Sequence, residues 1–191
     1  DNKVAIVSTV STLFPPLPYL WRRYMYPPGS GASRYLGSCV GGLADALRAT
    51  SSAPGLFDEV VHDGHRHQDG GCIANNPSAV ALHEARRLWP GRQVEVLVSV
   101  GTGLPPVREQ RGGFIERTVV QMIESATSVE RVHELLEDTL PPHRYFRLLP
   151  VDERFACELD EWRAHKLEGM RQAARDYCAH PDSRLAQLVQ L

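Results

Sequence analysis

Residues 67–88, HQDGGCIANNPSAVALHEARRL, contain the change of secondary structure that defines the fold. His67 to Asp69 is predicted to end a strand, and Gly70-Gly71 to form a sharp backbone turn. Asn76-Pro77 then predicts a helix start, because asparagine caps free backbone N–H groups and proline suits the first helical turn. Apolar residues at helical spacing continue from there to Pro90-Gly91. A strand, a tight turn and a helix in succession are typical of an α/β protein.

The segments on either side repeat this alternation. Val94–Val100 is apolar at most positions, as expected of a central parallel strand. The other predicted strands are 4–10 and 145–149, and the other predicted helices are 39–49, 115–129 and 159–177, with Trp162 facing inward in the last. The pattern therefore predicts an α/β fold with a mainly parallel sheet. The Pro-rich residues 14–18 predict a long loop, and the aromatic stretch Tyr19-Leu20-Trp21 and the helix 115–129 are candidates for lipid contact.

Composition excludes several classes of protein. The 191 residues carry a net charge of −2, so nothing indicates nucleic-acid binding. The four cysteines lack C-x-x-C spacing, which favours reduced thiols over disulfides or zinc. No apolar run is long enough to span a membrane. Because the chain opens at Asp1 only a few residues before a strand, we expect a fragment of a longer protein.

Two glycine-rich segments follow predicted strands, where ligands gather in parallel sheets. Asp69-Gly70-Gly71 places a carboxylate at a strand end with little side-chain bulk around it, which suits a general base, although the motif by itself is first of all a turn. Gly101-Thr102-Gly103 offers backbone N–H groups to an anion, but a strand-to-loop turn is the favoured interpretation.

Two other patterns suggest chemistry. His62, His65, His67 and Asp69 have spacing that zinc could use, which gives a metal-dependent hydrolase as one alternative. Residues 37–41, GSCVG, have the glycine spacing of a nucleophile elbow centred on Cys39. An elbow needs a strand directly before it, and a loop is predicted there. Cys39 is therefore expected to be a small buried residue at a helix start.

The order of several motifs resembles the C-terminal part of the catalytic domain of patatin-like phospholipases, in particular the gamma type of calcium-independent phospholipase A2. The motifs are SSAPGLF at 51–57, QDGG at 68–71, NNPSA at 75–79, VSVGTG at 98–103 and LPPHRYFR at 140–147. The resemblance extends to about residue 150 and is weaker beyond it. It implies a portion of the family domain in residues 1–150 and a helical extension in residues 151–191.

The resemblance also implies a fold and a mechanism. Patatin-like enzymes are three-layer α/β/α lipid acyl hydrolases that use a Ser–Asp dyad and need neither histidine nor calcium. Asp69 corresponds to the proton acceptor of the dyad, and Gly70-Gly71 to its motif turn. The implied substrate is a glycerophospholipid at the surface of an intracellular membrane, that of the mitochondrion, peroxisome or endoplasmic reticulum. No cofactor or metal is implied.

The chain departs from the family pattern in one respect. It contains no Gly-x-Ser-x-Gly elbow and no glycine-rich oxyanion loop, which lie upstream of the aspartate in that family. No nucleophile is therefore assigned, and the chain alone is expected to be inactive. A partial sequence of an active phospholipase is the favoured interpretation. The main alternative is an inactive remnant of the same fold that binds lipid or protein.

Overall fold

The fold is built around strand β1, Ala5–Val10, which has a neighbour on each side. A computed structural model of the protein describes residues 2–107 and 129–190. Strand β1 is rich in β-branched residues, and its last three residues, Ser8, Thr9 and Val10, are buried. It forms an antiparallel hairpin with β2, Leu17–Arg22, with Ala5 opposite Arg22 and Val10 opposite Leu17. The predicted strand at residues 4–10 is confirmed.

The larger sheet is mixed. It has five strands in the order β3-β2-β1-β5-β4, where β3 is Leu36–Ser38, β4 is Val60–His62 and β5 is His65–Asp69. Strand β3 runs parallel to β2, and β5 runs antiparallel to both β1 and β4. The hairpin between β4 and β5 turns at Asp63 and Gly64, both with positive φ. The α/β class is confirmed, and short hairpin connections account for the antiparallel pairs.

Three helices accompany this sheet in sequence. Helix α1 is Leu43–Thr50, α2 is the single turn Gly71–Ala74, and α3 is Ser78–Leu88. The helix start is confirmed one residue later than predicted: Pro77 is the N-cap and makes no side-chain capping bond, while Asn76 Oδ1 accepts hydrogen bonds from the backbone N–H of Ser78 at 3.3 Å and from its hydroxyl at 2.6 Å. A buried apolar cluster lies between α1 and the sheet and comprises Val10, Tyr19, Trp21, Ala46, Ala49 and Val60.

The described residues fall into two compact units. One contains residues 2–94 and 129–134, and the other contains residues 95–107 and 135–190. In the second unit, β6 (Leu97–Val100) pairs in parallel with β7 (Tyr145–Leu148), which confirms that both regions form strands. The prediction of a buried central strand at 94–100 is wrong, because β6 is shorter and belongs to a sheet of two described strands, with Val98 and Val100 exposed. Helix α4, Val129–Thr139, has residues in both units. Three elements follow β7: a 3₁₀ turn at Glu153–Phe155, helix α5 (Ala164–Ala179) and helix α6 (Arg184–Val189). The predicted helix at residues 115–129 lies outside the described residues, except for its last residue.

Several predictions about side chains are wrong. The predicted loop at 14–18 is shorter, because Leu17 and Pro18 already belong to β2; Tyr19, Leu20 and Trp21 are at most 4% exposed, so they are not available for lipid contact. The loop predicted before Cys39 is also wrong, because strand β3 ends at Ser38 directly before it; Cys39 itself lies in a bend and is exposed instead of buried at a helix start. Trp162, predicted to face inward, precedes α5 and is 81% exposed.

Candidate active site at the end of strand β5

Asp69 is the last residue of β5, and its backbone is fixed from two directions. Its N–H donates to the carbonyl of Ser52 at 2.9 Å, and its carbonyl accepts from the Thr9 hydroxyl at 2.7 Å. Ser52 follows α1 and Thr9 belongs to β1, so the strand end is tied to a helix terminus and to the neighbouring strand. This anchoring holds the carboxylate in one place.

The glycine at position 70 is required by a close backbone approach. A methyl group there would lie 2.2 Å from the carbonyl oxygen of Val7, closer than nonbonded atoms can come. The same carbonyl accepts the Thr50 hydroxyl at 2.6 Å, and the N–H of Gly70 donates to the Thr50 carbonyl at 3.3 Å. The turn after Asp69 is therefore packed directly against β1 and the end of α1.

Gly71 fixes one oxygen of the carboxylate. Its N–H donates to Asp69 Oδ1 at 2.6 Å, closing a tight turn between side chain and backbone. Within residues 2–107 and 129–190, no group donates a hydrogen bond to Asp69 Oδ2. The carboxylate is thus oriented through one oxygen, while the other has lone pairs open to an incoming proton donor.

A cleft of about 720 Å³ lies beside this turn. Most of its lining is apolar, and the described residues of its wall include two carboxylates, Asp69 and Glu84. The apolar lining comes mainly from β1 and α3 and includes Val4, Ile6, Val80, Ala81, Ala85, Leu88 and Trp89. Such a cleft suits a ligand with a large hydrocarbon part and a polar group placed at the carboxylate.

Glu84 has surroundings very different from those of Asp69. Oε2 accepts Arg22 Nε at 2.8 Å and the Tyr24 hydroxyl at 2.7 Å, and it also accepts the Tyr26 hydroxyl. Oε1 accepts Arg22 Nη2 at 3.2 Å and the Ser33 hydroxyl at 2.9 Å. Burial opposes ionisation, but these donors outweigh it and lower the pKa of Glu84 to about 2. Glu84 therefore stays ionised and fully bonded.

Cys72, next to the motif turn, is not poised as a nucleophile. Burial raises the pKa of its thiol, and the charge of Asp69 raises it further. The reactive form of cysteine is the thiolate, and this environment disfavours it. Cys39 is also unsuited to the elbow pattern, because its φ is not in the left-handed region; among described residues other than glycine, only Asp63 and His143 have positive φ.

The histidines near Asp69 are used in packing. His67 is fully buried, and its Nε2–H donates to the carbonyl of His62 at 3.2 Å, which leaves Nδ1 to accept the Ser8 hydroxyl at 3.0 Å. The hydroxyl of Ser8 in turn accepts Trp21 Nε1–H at 2.8 Å. This Ser–His pair resembles catalytic machinery, but Ser8 has no exposed surface and no substrate can reach it.

The metal hypothesis is not supported by this arrangement. Both ring nitrogens of His67 are occupied by protein partners, and His65 Nδ1 bonds the Thr12 hydroxyl at 3.2 Å. In the described parts of the chain, no three His, Cys, Asp or Glu side chains are grouped so that they could hold one ion. The four residues proposed as zinc ligands therefore do not form a site.

Sequence reasoning missed the Glu84 network and the Ser8–His67 pair. Arg22, amid the aromatic residues of a strand, was one available signal, because a buried arginine needs a carboxylate partner. Glu84 was harder to recognise, since an acidic residue on a helix ordinarily faces solvent. The partners lie about sixty positions apart, so local patterns do not connect them.

Comparison with known proteins gives consistent matches. Residues 30–82, which include Asp69 and its glycine turn, match the family model described as patatin-like phospholipase. The chain is 39% identical to the rabbit (Oryctolagus cuniculus) calcium-independent phospholipase A2-gamma and 38% identical to the human (Homo sapiens) protein of that name, over 99% of this chain and 24% of each relative. It is 39% identical to Phospholipase A I of Arabidopsis thaliana over 83% of this chain and 15% of that protein. The chain thus spans about a quarter or less of these relatives.

Proposed function

The chain is a relative of the patatin-like phospholipases, and on this premise we propose that the protein carrying it is a lipid acyl hydrolase in which Asp69 is the proton acceptor. The observation that carries the proposal is the Asp69 carboxylate, oriented by Gly71 through Oδ1 and without a described donor at Oδ2. Its place in the wall of a largely apolar cleft fits a fatty acyl substrate.

The proposed reaction has two steps. A serine hydroxyl from a Gly-x-Ser-x-Gly segment transfers its proton to Asp69 while its oxygen attacks the ester carbonyl carbon of a glycerophospholipid. The tetrahedral intermediate collapses, the lysophospholipid oxygen leaves with the proton from Asp69, and an acyl-enzyme remains. Water then attacks the acyl-enzyme and gives a proton to Asp69, and as the second tetrahedral intermediate collapses the serine oxygen leaves with that proton and the fatty acid is released. Asp69 needs no third catalytic residue in this scheme.

We propose further that the reaction takes place at the surface of an intracellular membrane, that of the mitochondrion, peroxisome or endoplasmic reticulum, and needs no calcium. No helix in the described chain is long and apolar enough to cross a bilayer. In place of the buried Tyr19 and Trp21, Phe14 in the turn between β1 and β2 is the residue we assign to lipid contact, because its side chain is fully exposed.

The test measures fatty acid release from phosphatidylcholine vesicles by the intact protein in excess chelator. Asp69→Asn should lower turnover by about 100-fold or more, because amide oxygen is a far weaker base than carboxylate. Asp63→Asn is the matched control, since Asp63 is exposed, has positive φ and tolerates asparagine.

Three results would count against the proposal. Undiminished turnover in Asp69→Asn would assign the base to another residue. Strict dependence on calcium would remove the proposed mechanism. No release by the intact wild-type protein would favour the alternative, a remnant that binds lipid or protein without hydrolysing it.

A further inference from the structure

A lysine, Lys3, lies in the wall of the cleft that contains Asp69. The described lining of this cleft holds no other lysine, and no arginine or histidine. Lys3 is exposed, so a ligand that enters the cleft can reach its ammonium group. Within the described chain no carboxylate forms an ion pair with it. The positive charge of Lys3 is therefore available to a ligand that occupies the cleft.

The backbone beside Lys3 is held by the hairpin of β1 and β2. The N–H of Arg23 donates to the carbonyl of Val4 at 2.8 Å, so the pairing continues past the start of β1. Because side chains alternate along an extended chain, Lys3 shares a face with Ala5, and both residues line the cleft. Arg22, directly opposite Ala5, reaches helix α3 from this face. The side chain of Lys3 therefore lies on the face of β1 that looks toward α3.

The two described carboxylates of the cleft wall do not neutralise Lys3. Glu84 is already bonded to Arg22, two tyrosines and a serine, so its charge is compensated. Asp69 is paired with Ser8, five residues beyond Lys3 along the chain. At about 3.3 Å per residue the two positions are roughly 16 Å apart, too far for their side chains to form an ion pair. Lys3 and Asp69 can therefore act on different parts of one ligand.

We propose that Lys3 is a specificity-determining residue that binds the phosphoryl group of a glycerophospholipid whose acyl ester lies at Asp69. This role rests on the proposed lipid hydrolase function. In such a lipid the glycerol carbons separate the ester from the phosphate, and the flexible four-carbon stem of lysine extends the ammonium toward that phosphate. A diacylglycerol has an uncharged hydroxyl at the same position. Lys3 should therefore favour phospholipids over neutral glycerides.

The experiment compares two substrates of the intact protein that differ only at the headgroup, dihexanoylphosphatidylcholine and dihexanoylglycerol. Lys3→Met should lower kcat/KM for the phospholipid by roughly threefold to tenfold, mainly through KM, because an exposed ammonium contributes modestly to binding an anion. Hydrolysis of dihexanoylglycerol should stay unchanged, which shows that the variant is folded. Lys3→Arg retains the charge and should retain the preference for the phospholipid.

Lys166→Met is the matched control, because Lys166 is the other lysine of the chain and is not part of the described cleft lining. It should follow the wild type on both substrates. If Lys3→Met lowers kcat/KM equally for both substrates, or for neither, Lys3 does not read the phosphate, and the hydrolase function is unaffected by that result.

Binding of a lipid that cannot be hydrolysed separates the role of Lys3 from the proposed function. The probe is the dihexyl ether of glycerophosphocholine, titrated by calorimetry, and Lys3→Met should bind it roughly threefold to tenfold more weakly than the wild type. Hydrolysis of neither ester by the wild type would contradict the proposed function alone. Equal affinities of Lys3→Met and the wild type for the ether, or no saturable binding by either, would overturn the role of Lys3.

Discussion

Asp69 and Glu84 are two carboxylates in the wall of the same cleft, and their hydrogen bonds give them opposite roles. Glu84 accepts hydrogen bonds at both oxygens from an arginine, two tyrosines and a serine, which leaves no lone pair for chemistry. Among the described residues, Asp69 accepts one hydrogen bond, from the Gly71 N–H, and its second oxygen is left for another donor. A carboxylate saturated with donors stabilises a fold, and one held at a single oxygen is able to take up a proton.

Glu84 and Asp69 should differ most in how much each side chain contributes to the free energy of unfolding. Glu84→Ala leaves the Arg22 guanidinium buried without its partner, and we expect a loss of about 3–5 kcal/mol in the free energy of unfolding. Asp69→Asn should change it by less than about 1 kcal/mol, because the side-chain oxygen still accepts the Gly71 N–H. Chemical denaturation of both variants, with Glu95→Ala as an exposed control, gives the comparison. Equal losses would mean that the two carboxylates do not differ in role.

The motif turn itself should be sensitive to a single methyl group. Gly70→Ala places a carbon against the Val7 carbonyl and should destabilise the protein by about 1–3 kcal/mol. Gly169→Ala makes the same change inside helix α5, where the nearest heavy atom is 4.0 Å away, and should stabilise by about 0.5–1 kcal/mol. Thermal unfolding measures both. A tolerated Gly70→Ala would show that the turn is not packed as described.

The buried histidine predicts a pH dependence of stability. Burial lowers the pKa of His67, and the neighbouring charges of His62 and His65 lower it further. The folded protein therefore binds fewer protons here than the unfolded chain, whose histidines titrate near pH 6.5. The stabilisation is fully present above about pH 6.5 and is lost as the pH falls toward the lower folded pKa.

Denaturation between about pH 7.5 and pH 5.5 tests this expectation. Wild type should lose stability across the range, and His67→Gln should lose less. His165→Gln, at an exposed position, should follow the wild type. An unchanged slope in His67→Gln would contradict the assignment of a buried neutral imidazole.

The smallest effect is expected at the membrane contact. Phe14→Ser removes one exposed aromatic ring and should reduce partitioning onto phosphatidylcholine vesicles a fewfold, because one ring contributes only part of an interface. Flotation with vesicles measures it, and Phe57→Ser, which also removes an exposed phenylalanine, is the control. Equal partitioning of Phe14→Ser and wild type would exclude Phe14 as the contact.

The sequence was sufficient to predict the helices and strands whose signals lie within a few neighbouring residues. The helix after Asn76-Pro77 and the strands within 4–10 and 94–100 were predicted because helix-start signals and apolar runs are encoded locally. Strand β2 was missed because Pro18 interrupts the pattern. Pairing with β3 begins only at Tyr19, so the N–H that proline lacks is not needed there.

In the candidate site, too, the features encoded in neighbouring residues could be predicted, and those that depend on distant segments could not. The strand end and glycine turn at Asp69 follow from the motif, whereas the close approach of Gly70 to Val7 depends on pairing between β1 and β5. The burial of Glu84 and His67 likewise depends on partners from distant segments. Long-range pairing, rather than residue type, decides which of these polar groups stay accessible.

The central claim is that Asp69 takes the proton from the attacking hydroxyl, and single-turnover formation of the acyl-enzyme in the intact protein tests it most directly. The rate for Asp69→Asn should fall by about 100-fold or more while Asp63→Asn keeps the wild-type rate. If Asp69→Asn forms the acyl-enzyme as fast as Asp63→Asn does, Asp69 is not the base.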